Sequence, residues 1–257
     1  MTDSIAWDQV ARFYDLYAQA TFDLPFFLQE AAKSSGEVLE LMAGTGRVSL
    51  PLVRAGVHLT CVDAAPQMLA RLRAKLAAEH LSAQVYEMDV RSLTLHKQFD
   101  LILLPFHSFG QLVSPADQHL ALARIYQHLA WGGRFICTLH NPPQRMRTID
   151  GQLRLVGTYP DAEQHTTLLF WSVSTYDPVT QQVQASQFYE HYDSRGILQE
   201  KSLLQLTFVL PQRAEFEALA TAVGFKVLAL YGDYSSAPFQ EETSPYMIWV
   251  LGKEKVS

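Results

Sequence analysis

The chain has little of several features that would fix its class at once. Cysteine occurs only twice in 257 residues. Cys61 and Cys137 both sit inside apolar strand-like runs, the usual setting of small buried hydrophobes, so neither a disulfide framework nor a metal site is expected and a cytoplasmic, reducing setting fits. Glycine and proline number 13 and 12, too few for a low-complexity or fibrous chain. Charged residues make up 18% and acidic ones outnumber basic ones, 26 to 20, for a net charge of -6. No segment gathers Lys and Arg as a phosphate-tracking surface requires, so nucleic acid is excluded as a partner. Long apolar runs are also missing. The uncharged stretch Leu101 to Ala116 is broken by Pro105, His107, Ser108 and Pro115, and the first ten residues carry Asp3 and Asp8 without a signal-peptide core, so no membrane association is expected.

What is present is material for a core. Hydrophobic residues reach 48%, enough for one large α/β domain with an elaboration. From Val38 to Leu139, short apolar runs alternate with longer amphipathic ones, the signature of a parallel sheet covered by helices. Strands are expected at Val38 to Leu41, His58 to Val62, Gln84 to Glu87, Leu101 to Leu104 and Arg134 to Leu139. Helices are expected at Arg47 to Ala55, Pro66 to Glu79 and Pro115 to Ala130, with Pro66 at a helix start and Gly132-Gly133 at a helix end. Two further helices, Trp7 to Ala20 and Pro25 to Lys33, precede the first strand and would form a flap over one sheet edge. After Asn141 the rhythm changes: Thr166 to Tyr176, Val183 to Asp193 and Ile197 to Leu210 are rich in Thr, Val and aromatics and read as an antiparallel meander. A helix at Arg213 to Val223, capped by Gly224, and strands at Lys226 to Tyr231 and Tyr246 to Leu251 close the chain. The expected division is therefore 1-141 for the helical flap and cofactor-binding core, 142-210 for an inserted lid or dimerisation subdomain, and 211-257 for the rest of the core.

The chemistry is expected at the first strand-to-helix turn. Residues Val38 to Arg47 read VLELMAGTGR, in which Gly44 and Gly46 permit a tight turn and a close ligand approach ahead of a helix N-terminus. A plain strand-helix turn would also use such glycines. Asp63, however, ends the second strand 17 residues after Gly46, a placement suited to both hydroxyls of a ribose. A dinucleotide fingerprint asks for Gly or Ala where Ser49 stands, which weakens the alternative of an NAD(P)-dependent oxidoreductase. A non-catalytic binding protein of the same fold is a further alternative.

Glu40, Gly44 and Gly46 resemble the first motif of the class I S-adenosylmethionine-dependent methyltransferases, small-molecule type, over roughly residues 36 to 140. That resemblance implies a Rossmann-like, mostly parallel seven-stranded sheet with helices on both faces, an antiparallel last strand, and an inserted β meander. It implies S-adenosyl-L-methionine as cofactor: Gly44 and Gly46 around the methionine part, Glu40 orienting the turn or the amino group, and Asp63 on the ribose. Ala64 and Met68 would lie near the adenine, with Asp89 and Val90 at its amino group. Leu104 and Pro105, at the fourth-strand exit, would pass under the sulfonium. Tyr14 would close over the cofactor carboxylate or, alternatively, pack on the core. Arg12 is the sole arginine expected in the flap, and no partner for the methionine carboxylate is assigned.

Methyl transfer is an in-line displacement that asks for alignment, exclusion of water and, for some nucleophiles, a base. In open α/β sheets the reactive crevice lies beyond the carboxyl ends of the strands. His107 and His140 fall there and are the candidate catalytic bases or substrate partners, unless each is satisfied by neighbouring backbone. Asn141, Tyr189 and Tyr234 are further candidates for contacts to a small-molecule acceptor. The meander aromatics Trp171, Tyr176, Phe188, Tyr189 and Tyr192 either roof the acceptor or pack the meander onto the core or onto a second copy in a homodimer. His96, His119, His128 and His165 read as surface residues.

Overall fold

A computed structural model describes residues 3–162 and 164–254, with residues 3–6 described by their backbone alone. Two helices, α1 (Asp3–Tyr17) and α2 (Leu24–Ala32), lead into the core. The core then runs β1 (Val38–Leu41), α3 (Ser49–Arg54), β2 (Leu59–Asp63), α4 (Pro66–Ala78), β3 (Gln84–Glu87), β4 (Phe99–Leu104), α5 (Pro115–His128) and β5 (Leu129–His140). A short helix, α6 (Pro142–Met146), opens the inserted segment, whose strands are β6 (Arg154–Asp161), β7 (Thr166–Asp177), β8 (Gln182–Tyr192) and β9 (Leu198–Val209). The chain returns to the core with α7 (Arg213–Val223), β10 (Lys226–Tyr231) and β11 (Tyr246–Gly252).

Local chemistry explains these boundaries. Pro66 and Pro115 stand in the first turns of α4 and α5, where a missing N–H costs nothing, and the Ser114 hydroxyl accepts the Asp117 N–H at 3.0 Å. Gly224 ends α7 in the left-handed region at φ 115°. The main sheet has the order β10-β11-β5-β4-β1-β2-β3, parallel except for β11, which runs against both its neighbours. β1 is therefore bonded on both edges and covered on both faces, which is why all four of its residues are buried.

Alternation along β1 sends Leu39 and Leu41 to one face, against Ile125 of α5 and Phe216 of α7. Val38 goes to the other face, against Phe26, Phe27, Leu52 and Leu69 of the α2–α4 layer. Each such side chain contributes about 1.5–3 kcal/mol through burial. Cys61 and Cys137 are both buried and free, on opposite faces of the sheet.

Three sequence expectations are corrected. Gly132-Gly133 does not end α5; the helix stops at His128, and the glycines sit inside β5 where the register with β4 shifts, an irregularity that glycine accommodates. His128 is buried rather than on the surface: its Nε2 accepts the Leu95 N–H at 2.9 Å and its Nδ1 donates to the Arg124 carbonyl at 2.7 Å. The meander has four strands, in the order β6-β7-β8-β9. Its first strand, which is not among the three expected from sequence, carries Gly157 and Pro160; as an outer strand paired on one side, it tolerates a proline that lacks a donor.

The flap helices do more than cover an edge. Val10, Phe13 and Tyr17 of α1 pack against Leu168, Phe170, Tyr189 and Leu204 of the four-stranded sheet. Helix α1 is thus the wedge between that sheet and α4, and it holds the sheet over the carboxyl ends of the parallel strands.

Candidate active site

The turn after β1 is strained on purpose. Met42 (φ 54°), Gly44 (φ 57°) and Gly46 (φ 89°) all adopt left-handed backbone, which costs glycine little and a methionine about 1 kcal/mol or more. A Cβ at Gly44 would meet no atom within 4 Å, because this position opens onto a cavity of about 690 Å³. The turn is anchored from outside: the Thr45 hydroxyl donates to Asp15 at 2.6 Å, and the Arg47 guanidinium forms two 2.6 Å bonds to the buried Asp23 carboxylate.

Asp63 closes the same corner. Its two carboxylate oxygens accept the Gly44 N–H at 2.7 Å and the Ala65 N–H at 2.8 Å, so the strand end and the glycine turn brace each other. Burial pushes its carboxyl above the usual range, against the pull of these two N–H groups. Beyond Asp63 the wall is apolar, with Ala65, Met68 and Val90, until Asp89 at the exit of β3. The Asp89 carboxylate is held by Arg91 (Nη2 at 2.5 Å), which keeps it below the usual range; an adenine amino group there would share that carboxylate with Arg91. Over the mouth, Trp7 Nε1 donates to Gln111 at 3.1 Å, and Tyr14 lines the wall as a neutral hydroxyl whose pKa burial pushes up to about 12.

The far end of the cavity is built from the exits of β4 and β5. Phe106 (φ 59°) and His107 (φ 61°) form a second left-handed kink, and such clustered outliers mark functional corners. The His107 ring stacks on His140, with centroids 3.8 Å apart, and on Tyr246 at 5.1 Å. Burial, reinforced by the charge of Arg145, lowers His107 to about 3, and burial, with the His107 ring and the Arg145 charge beside it, puts His140 well below its ordinary value. Both imidazoles are therefore neutral at physiological pH. Gln187 of β8 and Leu206, Phe208 and Val209 of β9 roof the space.

Of the residues singled out in sequence, Tyr14, Gly44, Asp63, Ala64, Met68, Asp89, Val90, His107 and His140 line this one cavity. The others lie behind its wall. Glu40 faces the α3 side, buried, and accepts the Ser49 hydroxyl at 2.6 Å; burial raises its carboxyl to about 8. Ser49 is thus accommodated in the tight helix-strand contact because it meets Glu40. Gly46 serves packing, since a Cβ there would lie 2.4 Å from Leu72. Leu104 is sealed in the core, and the Pro105 carbonyl is bonded by the Ser108 hydroxyl at 3.1 Å.

The three expected substrate contacts behave likewise. Asn141 uses its amide to hold the Glu241 and Ser244 carbonyls, both at 2.7 Å. Tyr189 is buried against α1, where its hydroxyl donates to Gln187 at 2.7 Å; period-two alternation puts both on one face, and the tyrosine positions the shorter residue that reaches the cavity. Tyr234 packs on Tyr246 at 5.3 Å, one layer behind His107. Arg12 pairs with Glu200 and leaves the cavity to other cations.

Met42, Trp7, Gln111, Arg91 and Arg145 line the cavity without having been found in sequence. None belongs to a spaced motif. They converge because α1, the β3 and β4 exits and α6 meet at one end of the sheet. No helix among the described residues is long and apolar enough to cross a membrane, and no group of three or more metal-ligating side chains occurs among them.

Residues 38–133 match the family model of a methyltransferase domain. The cypemycin N-terminal methyltransferase of a Streptomyces species is 26% identical over 212 residues, 82% of this chain and 81% of its own. The chain spans 58% and 38% of the lengths of two other relatives, from Geobacillus and Mycobacterium bovis. Among solved structures, the CcbJ methyltransferase from Streptomyces caelestis superposes with a TM-score of 0.84 at 22% identity, covering 99% of this chain and all (100%) of that one. An S-adenosylmethionine-dependent methyltransferase from Clostridium acetobutylicum does so at 0.80 and 16%, over 97% and 99%. The order of its seven strands and the reversed β11 give the chain the fold of these solved methyltransferases, and residues 38–133, which carry the glycine turn braced by Asp63, match the methyltransferase-domain model.

Proposed function

We propose that the protein transfers a methyl group from S-adenosylmethionine to a nitrogen of a small-molecule acceptor. The residues present suit the cofactor: a glycine cradle that any Cβ would fill at Gly44, a carboxylate at Asp63 with lone pairs left for hydroxyls, and an apolar slot between Ala65, Met68 and Val90. When bound, the cofactor supplies the electrophilic methyl carbon. The chain supplies a corner for the methionine part at Gly44, a ribose anchor at Asp63, and a lid that excludes water.

The observation that carries nitrogen over oxygen is the pair of neutral, stacked imidazoles at the acceptor end. An alcohol needs a strong base to become nucleophilic, whereas an uncharged amine already carries the attacking lone pair and afterwards needs a modest proton acceptor. The carboxylates on the cavity wall, Asp63, Glu87, Asp89 and Asp117, stand on the β2–β3 and α5 side, away from the two histidines by their place in the fold. Relatives named as acting on a peptide N-terminus and on glycine or sarcosine nitrogen support the same reading. We assign the protein to the cytoplasm, in keeping with two free cysteines, and assign the outer strand β6 as the place where a second copy would pair.

The test is calorimetric titration with S-adenosylhomocysteine, followed by mass-spectrometric detection of a 14-dalton gain on a panel of amines and phenols. Binding with turnover of amines supports the proposal. Absence of binding by folded protein, or turnover confined to hydroxyl acceptors, refutes it.

A further inference from the structure

Arg145 lies on α6, two residues beyond the proline pair, and lines the cavity beside His107, His140 and Phe208. It is half-buried, yet no carboxylate among the described residues pairs with it, in contrast to Arg91, which Asp89 and Asp117 neutralise, and Arg47, which Asp23 neutralises. Its one side-chain hydrogen bond to another side chain goes to the neutral Thr148 hydroxyl at 2.5 Å, its Nε is buried without a partner, and its guanidinium carbon stands 5.8 Å from the Phe208 ring centroid. A second unmet demand lies on the neighbouring ring, where Nδ1 of His107 is also buried without a hydrogen-bond partner.

A partly desolvated cation that lacks an anion is costly, and an arginine fork matches a planar carboxylate in two parallel bonds. The acceptor end thus carries one uncompensated positive charge while the acidic side chains of the wall stand at the cofactor end. We infer that Arg145 is a specificity-determining residue that binds a carboxylate of the acceptor, so that the substrates are small amino-carboxylate compounds held by their acid group with the amine turned toward the transferred methyl. This deepens the methyl-transfer reading and rests on it. The bland alternative, that Arg145 merely packs on Phe208, makes no demand for charge in the ligand.

The experiment uses the full chain saturated with S-adenosylhomocysteine, and titrates it with acetate and benzoate against acetamide and benzamide, following the His107 and His140 ring signals by NMR and binding by calorimetry. Carboxylates should bind at least about tenfold more tightly than the matching amides, Arg145→Lys should keep most of that preference, and Arg145→Gln should abolish it. Equal response to carboxylate and amide, or no response to either at millimolar concentration, overturns the inference while leaving the cofactor reading intact. A loss of S-adenosylhomocysteine affinity in folded Arg145→Gln with acceptor-end binding unchanged also overturns it, because the residue would then serve the cofactor's own carboxylate. Failure of the wild-type protein to bind S-adenosylhomocysteine at all removes the proposed function and this inference with it.

Discussion

Replacing Glu40 by glutamine should make the protein more stable at pH 8 and leave it little changed at pH 5. Glu40 lies wholly buried under the glycine turn, and its neighbour Ser49 donates one hydrogen bond of 2.6 Å to it, which offsets only part of the cost of burying a charge. Burial therefore raises the carboxyl from 4.5 to about 8. Between those values the folded chain holds a proton that the unfolded chain has released, so stability falls as pH rises through that window and levels off above it. At about 1.4 kcal/mol per pH unit the interval sets an upper limit of about 5 kcal/mol, and relaxation around the turn brings the expectation to about 2–4 kcal/mol. Glutamine keeps the oxygen that accepts from Ser49 and never ionises, so its stability curve should be flatter by that amount. Urea unfolding of both proteins at pH 5, 6.5 and 8 measures it. Parallel pH dependences would refute the reasoning and mean that Glu40 is charged in the folded state, stabilised by Arg47 across the turn.

Asp63→Asn should weaken S-adenosylhomocysteine binding by about 1–3 kcal/mol in calorimetry, because the remaining amide cannot both accept the Gly44 N–H and serve two hydroxyls; unchanged affinity would place the ribose elsewhere. Gly46→Ala should lower stability by about 1–3 kcal/mol in denaturant titration, from left-handed strain at φ 89° and a 2.4 Å clash with Leu72, whereas Gly44→Ala, which carries left-handed strain at φ 57° but no clash, should lose only about 1 kcal/mol of stability and lose cofactor affinity. Imidazole ¹⁵N shifts of His107 and His140 should report neutral rings down to pH 5.5, since burial beside Arg145 holds both below the ordinary histidine range; protonated rings there would contradict the stacked, desolvated pair. Because the unfolded chain would protonate these histidines first, both contribute stability that rises with pH toward 6.5, beginning for His107 at about 3.

The cavity residues at strand ends, Gly44, Asp63, Asp89, His107 and His140 among them, were readable in advance, and those whose side chains turn away behind the wall were not distinguishable from them. Gly44, Asp63 and Asp89 stand at the ends of successive strands, so their place in the fold follows from chain position and strand order. Tyr189, Tyr234 and Asn141 looked like pocket residues because they are aromatic or polar and close to the crevice in chain order. Which way each points depended on partners far away: α1 for Tyr189, the Phe22 and Tyr246 rings for Tyr234, and the Glu241 and Ser244 carbonyls for Asn141.

By itself, the sequence determined what short-range rules control: the alternation of strand and helix, the glycine turn, and the acidic residue on the second strand. Tertiary structure alone decided which cations keep their charge free, which carboxylates are buried enough to stay protonated, and which strand roofs the cavity. Those are properties of neighbours brought together across long chain separations, where burial and pairing set the energy, and no local pattern of residue types encodes them.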